Sequence, residues 1–345
     1  MIGSAGLWLI DFRLLSFDTI PLMGLASRRD FLKTSALSVF SMAIPEPVLG
    51  LFSGREKIKL GLISDLHADI IHDGELRLQA FLMEMQKEKT NALIQMGDFA
   101  IPKSENSQLI LRFNSANPIS FHVLGNHDMD EGFTKEEVAK AYGMPALYYA
   151  VDLVSIKMIV LDGNDPDSVN KRGGYDSYIG PSQQAWLLQE LEMADKPVLI
   201  VSHQPIAGIY TIDNALEIQE ILSRFASKIL LAINGHAHVD QHVLLGGVNY
   251  LHINSASYYW VGEKLAHESL SAEIHQTNPS LKFTCPYLDP LFALLTIDPK
   301  LGKISVQGRK SKWIGPSPLE LGYSILNEAE QQRFVNPKIS NRKID

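Results

Sequence analysis

The sequence predicts an α/β fold, because short apolar runs alternate with segments whose apolar residues recur at helical spacing. Five of the apolar runs stop at residue types that bind metals, namely the runs at 60–64, 92–96, 119–124, 198–202 and 229–234. Short apolar runs bounded by glycine and polar residues are typical of buried strands. In open α/β sheets the functional residues follow the carboxyl ends of the strands, so we expect the five ends to converge on one crevice.

The segments between these runs supply the remaining helices and strands. Residues 75–88 and 183–192 have apolar side chains near helical spacing, which predicts two amphipathic helices. Further strands are predicted in pairs at 147–152 and 155–162, at 243–245 and 249–253, and at 292–298 and 303–306. The sequence shows no internal repeat and no low-complexity linker.

Two segments between the predicted elements are candidate substrate contacts. The polar loop 163–180 interrupts the pattern, and long loops inside compact domains are often functional. Arg172 in this loop is a candidate contact for a substrate phosphate; the alternative is a solvated loop charge. The stretch 254–287 is rich in Tyr, Ser and His, and it is either a stacking platform for a base or sugar or the margin of the core.

The composition excludes some classes of protein. The chain has 345 residues, 46% hydrophobic content and a formal net charge of −8, which suits one large domain or two small ones. No basic face is visible, which argues against a protein that grips long nucleic acid but does not exclude nucleotide substrates. Cys285 is the only cysteine, so the chain forms no intramolecular disulfide.

Residues 1–50 are predicted to be an N-terminal extension that carries an export signal. The segment 27–33, Ser-Arg-Arg-Asp-Phe-Leu-Lys, resembles the twin-arginine signal, and an uncharged apolar stretch follows at 34–44. This stretch is too short for a stable membrane anchor, and the alternative is an amphipathic helix with a basic start. We therefore expect the twin-arginine export machinery to deliver the protein to the periplasm or outside the cell. Charges interrupt residues 1–22, so we also expect translation to begin at Met23.

The side chains at the five strand ends suit first-row transition metals. They are Asp65, His67, Asp98, Asn126, His203, His236 and His238. Two carboxylates, one amide and four imidazoles suit divalent or mixed-valence Mn, Fe, Zn or Co, whereas Mg and Ca prefer oxygen ligands alone. Seven side chains are too many for one ion. If one carboxylate bridges, they divide into two sites of four, and paired ions about 3.5–4 Å apart are typical of phosphoryl transfer.

The order of these blocks is similar to that of the calcineurin-like metallophosphoesterase superfamily, which includes purple acid phosphatases and bacterial cyclic-nucleotide phosphodiesterases. The family pattern is D-x-H, G-D, G-N-H-[DE], a lone His and G-H-x-H. It is present here at 65–67, 97–98, 125–128, 203 and 235–238. The resemblance implies a four-layer α/β/β/α sandwich of two packed mixed sheets flanked by helices. We place its catalytic domain at 51–310 and a polar tail at 311–345, with a surface helix near Glu328 and a mobile end.

The resemblance also implies a role for each residue of the pattern. Asp65, His67 and His238 would bind the first ion, and Asn126, His203 and His236 would bind the second. Asp98 would bridge the two ions. His127 would protonate the leaving group, and Asp128 would orient the His127 ring.

These roles predict a binuclear-metal hydrolase in which a metal-bound hydroxide attacks a small phosphomonoester or phosphodiester. A cyclic-nucleotide phosphodiesterase is an alternative within this class, since residues 180–187 resemble the G-x3-Q-x2-W-L stretch of that group. An exported, non-catalytic metal-binding protein is an alternative of another class. Structural metal sites are normally closed and rich in cysteine, whereas this ligand set contains none, which favours the enzyme.

Overall fold

Two six-stranded sheets form the centre of the part of the chain that the structure describes. The computed structural model describes residues 57–298, 301, 303–324 and 327–344. In chain order the strands are β1 (Ile58–Ile63), β2 (Ala92–Gln95), β3 (Ser120–His122), β4 (Tyr149–Leu153), β5 (Ile156–Val160), β6 (Val198–Val201), β7 (Ile229–Asn234), β8 (His242–Leu245), β9 (Val248–His252), β10 (Tyr258–Trp260), β11 (Thr284–Pro286), β12 (Ala293–Asp298), β13 (Lys303–Gln307) and β14 (Arg342–Ile344).

Helices connect the strands and cover the outer faces of the sheets. The helices are α1 (Gly74–Glu88), α2 (Ser107–Ser115), α3 (Lys135–Tyr142), α4 (Pro181–Met193), α5 (Ala215–Arg224), α6 (Ala272–Thr277) and α7 (Glu328–Phe334). Helix α3 begins with a capping box, in which Thr134 and Glu137 exchange hydrogen bonds with each other's backbone amide. Gly143 ends the same helix in the left-handed conformation, which a residue without Cβ adopts at little cost.

The two sheets are mixed, and their parallel strands are neighbours. The first sheet has the order β14-β13-β12-β1-β2-β3, and the second has the order β4-β5-β6-β7-β9-β8. Strands β1, β2 and β3 are parallel, as are β5, β6, β7 and β9. In the first sheet the antiparallel strands β12, β13 and β14 lie on one side of the parallel group, beyond β1. In the second sheet β4 and β8 are antiparallel and lie at the two edges. The carboxyl ends of the parallel strands therefore meet along one edge of each sheet, as the sequence predicts.

The sheets pack face to face around one core, and the helices complete four layers. Leu60 and Ile94 of the first sheet share a buried cluster with Val160 and Val201 of the second. Helices α1, α2 and α3 bury their apolar faces on the outside of the first sheet, and α4 and α5 do so on the second. The predicted α/β/β/α sandwich is confirmed.

The C-terminal segment differs from the predicted polar tail with a mobile end. Strand β14 pairs antiparallel with β13 and extends the first sheet, with Ile344 opposite Ile304. Ile339 and Ile344 are buried in the core between the sheets. Asp240 holds this segment by an ion pair of 2.5 Å with Arg342 and by the backbone amide of Ser340 at 3.1 Å. The predicted mobile end is wrong because β14 pairs with β13 and because Ile339 and Ile344 are buried in the core.

The export signal, the start at Met23 and the 1–50 boundary lie outside the described residues and stay predictions. Within the ranges that the structure does describe, no helix is both long enough and apolar enough to cross a membrane.

Candidate metal centre

The five sequence motifs meet at the carboxyl ends of β1, β2, β3, β6 and β7, where they form two clusters of metal-binding groups. The first cluster is Asp65, His67 and His238, and the second is Asp98, His203 and His236. Within each cluster the potential ligand atoms lie within 4.8 Å of one another. The first cluster joins the turns after β1 and β7, and the second joins the turns after β2, β6 and β7. Each site therefore exists only when the two sheets are packed together.

The carboxylate of Asp98 lies between the two clusters. Its Oδ2 atom is 3.1 Å from Nε2 of His203 in the second cluster and 3.6 Å from Nε2 of His67 in the first. Inside the first cluster, Nε2 of His238 is 3.2 Å from Oδ1 of Asp65 and 3.3 Å from Nε2 of His67. The structure therefore brings together the atoms that the predicted bridge requires.

Asn126 is the seventh predicted ligand, and its side chain provides a test of whether the site fits a cation. Its amide oxygen Oδ1 is buried and has no hydrogen-bond partner among the described residues. A buried acceptor without a partner costs free energy unless a ligand or an ion satisfies it. The unpaired oxygen of Asn126 and the convergence of four imidazoles with two carboxylates fit a pair of transition-metal ions.

Partners behind the ligands fix which imidazole nitrogen faces the centre. Nδ1 of His203 donates to the carbonyl of Met96 at 2.8 Å, and Nδ1 of His238 donates to the carbonyl of Tyr258 at 2.8 Å. A proton held on Nδ1 leaves the lone pair on Nε2, which is the nitrogen that faces each cluster. These two ligands are therefore set in the metal-binding tautomer by the backbone.

The backbone at the centre is strained in the same way at five of the predicted ligands. Asp65, His67, Asp98, His236 and His238 all have positive φ, between 46° and 64°. Residues other than glycine rarely adopt this left-handed region, and each instance costs of the order of 1–3 kcal/mol. Such residues cluster at functional sites where the surrounding structure holds them. The left-handed residues coincide with five of the six members of the two clusters.

Burial and neighbouring charges set the protonation of the ligands. Burial raises the carboxyl pKa of Asp65, but the charges of His238 and His203 outweigh this effect and lower that pKa to about 2. Burial lowers the pKa of His67 to about 3, and burial together with the charge on His203 lowers that of His236 to about 3. Asp65 is therefore ionised and both imidazoles are neutral at neutral pH, which are the forms that bind cations.

Asp98 and His203 form a tightly coupled pair at the second cluster. Burial lowers the pKa of His203, but the adjacent carboxylate of Asp98 outweighs it and raises that pKa to about 10. Burial raises the pKa of Asp98, yet the charge on His203 holds it well below its usual range. A cation at the second cluster would take the place of the proton on His203, so its binding releases a proton.

The Asp128 carboxylate, which is predicted to orient the His127 ring, makes its hydrogen bonds to other groups. Asp128 is buried, and its carboxylate accepts hydrogen bonds from the backbone amides of Phe99 at 2.7 Å and Gly125 at 2.8 Å, and from the hydroxyl of Tyr142 at 2.9 Å. These bonds hold the turn after β2 against the turn after β3. The carboxylate is turned away from the adjacent ring because its oxygens satisfy backbone amides that no strand or helix pairs.

Two other residues contact the His127 ring, and no motif in the sequence points to either of them. Nδ1 of His127 lies 2.8 Å from Oδ2 of Asp130 and 3.1 Å from the hydroxyl of Tyr175. Asp130 follows three residues after His127 in the same turn, a spacing that places both side chains on one side. Tyr175 belongs to the loop 163–180, for which the sequence indicated function only through Arg172. The Arg172 side chain is outside the described part of the structure, so its contact with a phosphate stays a prediction.

A polar cleft opens from the metal centre. It has a volume of about 220 Å³ and contains His67, Asp98 and His127 in its wall. The remaining wall is formed by Asp69, Ile70, Ala100, Ile101, Lys103, Asp128, Asp130, Glu131 and Ser280. The His127 side chain is 33% exposed, whereas that of Asp98 is 2% exposed, so His127 is the more accessible group at the mouth of the site.

The aromatic-rich stretch 254–287 lies mainly inside the protein. Tyr258, Tyr259 and Tyr287 are buried, and Trp260 is 41% exposed. The Tyr258 ring stacks on His67, with centroids 5.0 Å apart and planes inclined by 26°. The stretch therefore forms the margin of the core and supports a metal ligand, which is the second of the two interpretations that the sequence allows.

Comparisons with known proteins agree with this arrangement. No curated protein matches the chain. Among solved structures, a dimetal phosphatase from Danio rerio is 15% identical, with a TM-score of 0.51 and coverage of 74% of this chain and 98% of that one. GAP50, described as the anchor in the inner membrane complex of Plasmodium, is also 15% identical, with a TM-score of 0.51 and coverage of 75% and 85%. These two likenesses show the fold. The model for the calcineurin-like phosphoesterase family matches residues 58–240, more than half of the chain, so the protein belongs to that family and is a metal-dependent phosphoesterase.

Proposed function

We propose that the protein hydrolyses small phosphoesters at a two-ion centre, with His127 as the acid for the leaving group. The observation that carries this proposal is the position of Asp98. Its Oδ2 atom is near an imidazole of each cluster, 3.1 Å from His203 and 3.6 Å from His67. One carboxylate within reach of two ligand sets is the arrangement that a pair of ions needs in order to act on one phosphoryl group.

Seven residues would bind the two ions, and His127 would contact the ester. Asp65, His67 and His238 would hold one ion, Asn126, His203 and His236 the other, and Asp98 both. When bound, the ions activate water and neutralise charge on the phosphoryl oxygens. The donor set fits Mn, Fe, Zn or Co in divalent or mixed-valence states.

His127 is suited to the leaving-group side of the reaction. Its backbone amide donates to Oδ1 of Asp98 at 2.8 Å, which fixes the ring beside the centre. With Nδ1 engaged by neighbouring side chains, Nε2 is the nitrogen that can donate a proton to a departing oxygen. General acid catalysis of this kind is worth about 10²–10⁴ in rate.

The cleft favours a small substrate whose leaving group has no second negative charge. A volume of about 220 Å³ suits a phosphoryl group with a small alcohol. Lys103 is the only lysine or arginine among the wall residues that the structure assigns to this cleft, and its ammonium group makes ion pairs of 2.9 Å with both Asp69 and Glu131. Because these carboxylates already neutralise the lysine, a further anion on the leaving group would meet net negative charge.

A screen of three phosphoesters tests whether the protein is a metal-dependent hydrolase. The purified protein is stripped with a chelator, reloaded separately with Mn, Fe, Zn and Co, and assayed on p-nitrophenyl phosphate, bis-p-nitrophenyl phosphate and a cyclic nucleotide. Turnover of the first or second ester with loaded but not stripped protein is the expected result. Dominant turnover of the cyclic nucleotide would assign the protein to the cyclic-nucleotide phosphodiesterases. An absence of turnover for every ester and ion would contradict the proposal.

A matched pair of alcohol phosphates tests the charge preference. Glycerol 3-phosphate and 3-phosphoglycerate differ mainly by a carboxylate on the leaving group. We expect kcat/KM to be at least about tenfold lower for 3-phosphoglycerate, because like charges across a binding site cost free energy. Glu131→Gln removes one negative charge from the cleft, so it should reduce the ratio of kcat/KM for glycerol 3-phosphate to kcat/KM for 3-phosphoglycerate. Equal kcat/KM for the two esters would contradict the charge preference and leave the hydrolase proposal standing.

We also propose that the protein is exported through the twin-arginine route. The support is the segment 27–33 with its two adjacent arginines, followed by the uncharged stretch 34–44. Replacement of Arg28 and Arg29 by lysine should move the protein from the periplasmic or extracellular fraction to the cytoplasm. N-terminal sequencing of the unprocessed precursor would locate the start, and a peptide from residues 1–20 would contradict a start at Met23.

A further inference from the structure

The His127 ring belongs to a closed set of three hydrogen bonds. The hydroxyl of Tyr175 donates to Oδ1 of Asp130 at 2.6 Å, and Oδ2 of the same carboxylate is 2.8 Å from Nδ1 of His127. The third side is the 3.1 Å contact between Nδ1 of His127 and the Tyr175 oxygen. A carboxylate only accepts, and the phenol proton is already given to it, so Nδ1 is the donor in both of its contacts. The geometry therefore places a proton on Nδ1 and leaves Nε2 toward the cleft.

The turn that carries His127 brings Asp130 to the ring. The turn spans His127–Gly132, and its helical geometry ends at Asp130, where ψ is 165°. Glu131 and Gly132 then have φ of 61° and 89°, which reverses the chain. Asp130 is therefore the last residue that faces the same side as His127.

The loop that carries Tyr175 is fixed on both sides of the tyrosine. Before it, Ser168 and the backbone amide of Asn170 bind the carboxylate of Asp213 at 2.6 and 2.9 Å. After it, the carbonyl of Ser177 accepts from the amide of Asp213 at 2.7 Å. One residue at the entrance to α5 thus holds both arms of the loop. The Tyr175 ring is 4.7 Å from the His127 ring, centroid to centroid.

We propose that Asp130 and Tyr175 are positioning residues for His127. They hold one ring proton on Nδ1, so that the second proton of the imidazolium lies on Nε2 and passes from there to the leaving oxygen. The loop 163–180 thereby contributes to the reaction through a hydroxyl that contacts His127 and Asp130. This inference rests on the proposed function, in which His127 is the acid. It replaces the role that the sequence predicted for Asp128.

Single substitutions give the first test in the metal-loaded protein. Tyr175→Phe should lower kcat on an alkyl phosphate about tenfold, the worth of one hydrogen bond to a charged network. Asp130→Asn should lower it about 10- to 100-fold, as outer partners of a functional imidazole do. KM and the number of ions per chain should stay at their normal values. Losses on p-nitrophenyl phosphate should be smaller, because its leaving group needs little protonation.

Tyr178→Phe is the matched control, since it removes the same atom from the same loop without touching His127. It should leave kcat on both esters unchanged. If Tyr178→Phe lowered kcat as much as Tyr175→Phe does, removal of either tyrosine hydroxyl would disturb the loop. This result would contradict a specific role for Tyr175.

A double-mutant cycle separates positioning from structural support. In a His127→Gln background, adding Tyr175→Phe should change kcat by less than about twofold, because the ring that it positions is gone. The same fold loss in both backgrounds would contradict the proposal.

The state of the ring provides a readout that does not depend on turnover. In NMR spectra of protein labelled with ¹⁵N-histidine, the resonances that are missing from His127→Gln belong to the His127 ring. In the wild type, the neutral form of this ring should carry its proton on Nδ1 and none on Nε2. Tyr175→Phe combined with Asp130→Asn should produce a mixture of tautomers. An unchanged spectrum would contradict the inference even if no ester is hydrolysed, so its failure is distinguishable from failure of the proposed function.

Discussion

At the scale of single residues, the centre depends on groups that each satisfy two demands. Asp98 offers Oδ2 to both clusters and Oδ1 to the backbone amide of His127. His203 and His238 each use one nitrogen for a backbone carbonyl and present the other to a cluster. Substitutions at these positions should therefore remove ions as well as activity. Substitutions at Tyr175 and Asp130 should lower the activity but leave the ions bound.

Asp98→Asn tests the bridge directly. The amide carries no charge and presents one oxygen, so we expect loss of bound ions together with nearly all activity, as measured by elemental analysis and ester hydrolysis. His203→Ala and His236→Ala should selectively weaken the second site, and His238→Ala the first. Asp69→Asn, which alters a carboxylate of the cleft outside both clusters, is the control and should retain the ions. Two ions per chain in Asp98→Asn would refute the assignment.

A buried histidine outside the metal centre should make stability depend on pH. Burial lowers the pKa of His122 to about 3, and its nitrogens contact Gln95 at 3.1 Å and Asn114 at 2.6 Å. The unfolded ring titrates near about 6.5, so its stabilising contribution is full above that pH and falls as pH drops from 6.5 toward 3.

The slope of the free energy of unfolding against pH checks this. Between pH 6 and 4, His122→Gln should give a shallower slope than the wild type, by up to about 1.4 kcal/mol per pH unit, which corresponds to one proton. Identical slopes for the two proteins would mean that His122 takes up its proton without unfolding.

At the scale of elements, the ligands depend on glycines at the junctions between strands and turns. Gly97 follows β2 with φ of 96°, and a Cβ there would lie 2.3 Å from Nδ1 of His203. The backbone of the turn after β2 therefore packs directly against the His203 side chain. This approach sets the distance between Asp98 and His203.

Gly97→Ala should displace His203 and lose the ion of the second cluster. Gly132→Ala is the matched control, because φ is also positive at 89° but no atom lies within 4 Å of the added Cβ. Both variants carry backbone strain of about 1–2 kcal/mol, so only Gly97→Ala should lower the number of ions per chain. Retention of two ions by Gly97→Ala would show that the turns can separate without loss of the site.

At the scale of the whole molecule, the two sheets must pack before the centre exists, and the C-terminal segment contributes to that packing. Strand β14 is the edge strand of the first sheet, and its Ile344 reaches the core between the sheets. The segment is therefore part of the catalytic fold, although it follows the predicted boundary at residue 310.

Ile344→Ala should lower the free energy of unfolding by about 2–4 kcal/mol, through lost burial and the cavity left behind. Lys343→Ala, on the exposed face of the same strand, should change it by less than about 0.5 kcal/mol. Denaturant titration of both variants measures the difference. Equal effects would mean that pairing of the strand, and not burial of its side chain, stabilises the edge.

The strand runs and the candidate ligands are recognisable in the amino-acid sequence, whereas the four layers are what the family resemblance implies. Strand runs such as 60–64 and 229–234 are visible because strands buried on both faces need continuous apolar residues, which is a local property of the sequence. The residues of the two clusters were identified because metal binding restricts residue type and each follows a strand directly. Both kinds of information lie within a few positions along the chain.

Contacts between side chains that are distant along the chain are visible only in the folded protein. Asp128 and Asp130 are two residues apart and chemically identical, yet one satisfies backbone amides and the other contacts the His127 ring. Tyr175 reaches that ring from 48 residues away along the chain. Ile344 joins the core through pairing with a distant strand. Such contacts depend on the path of turns and loops, which follows from packing of the whole chain and leaves no periodic trace in the sequence.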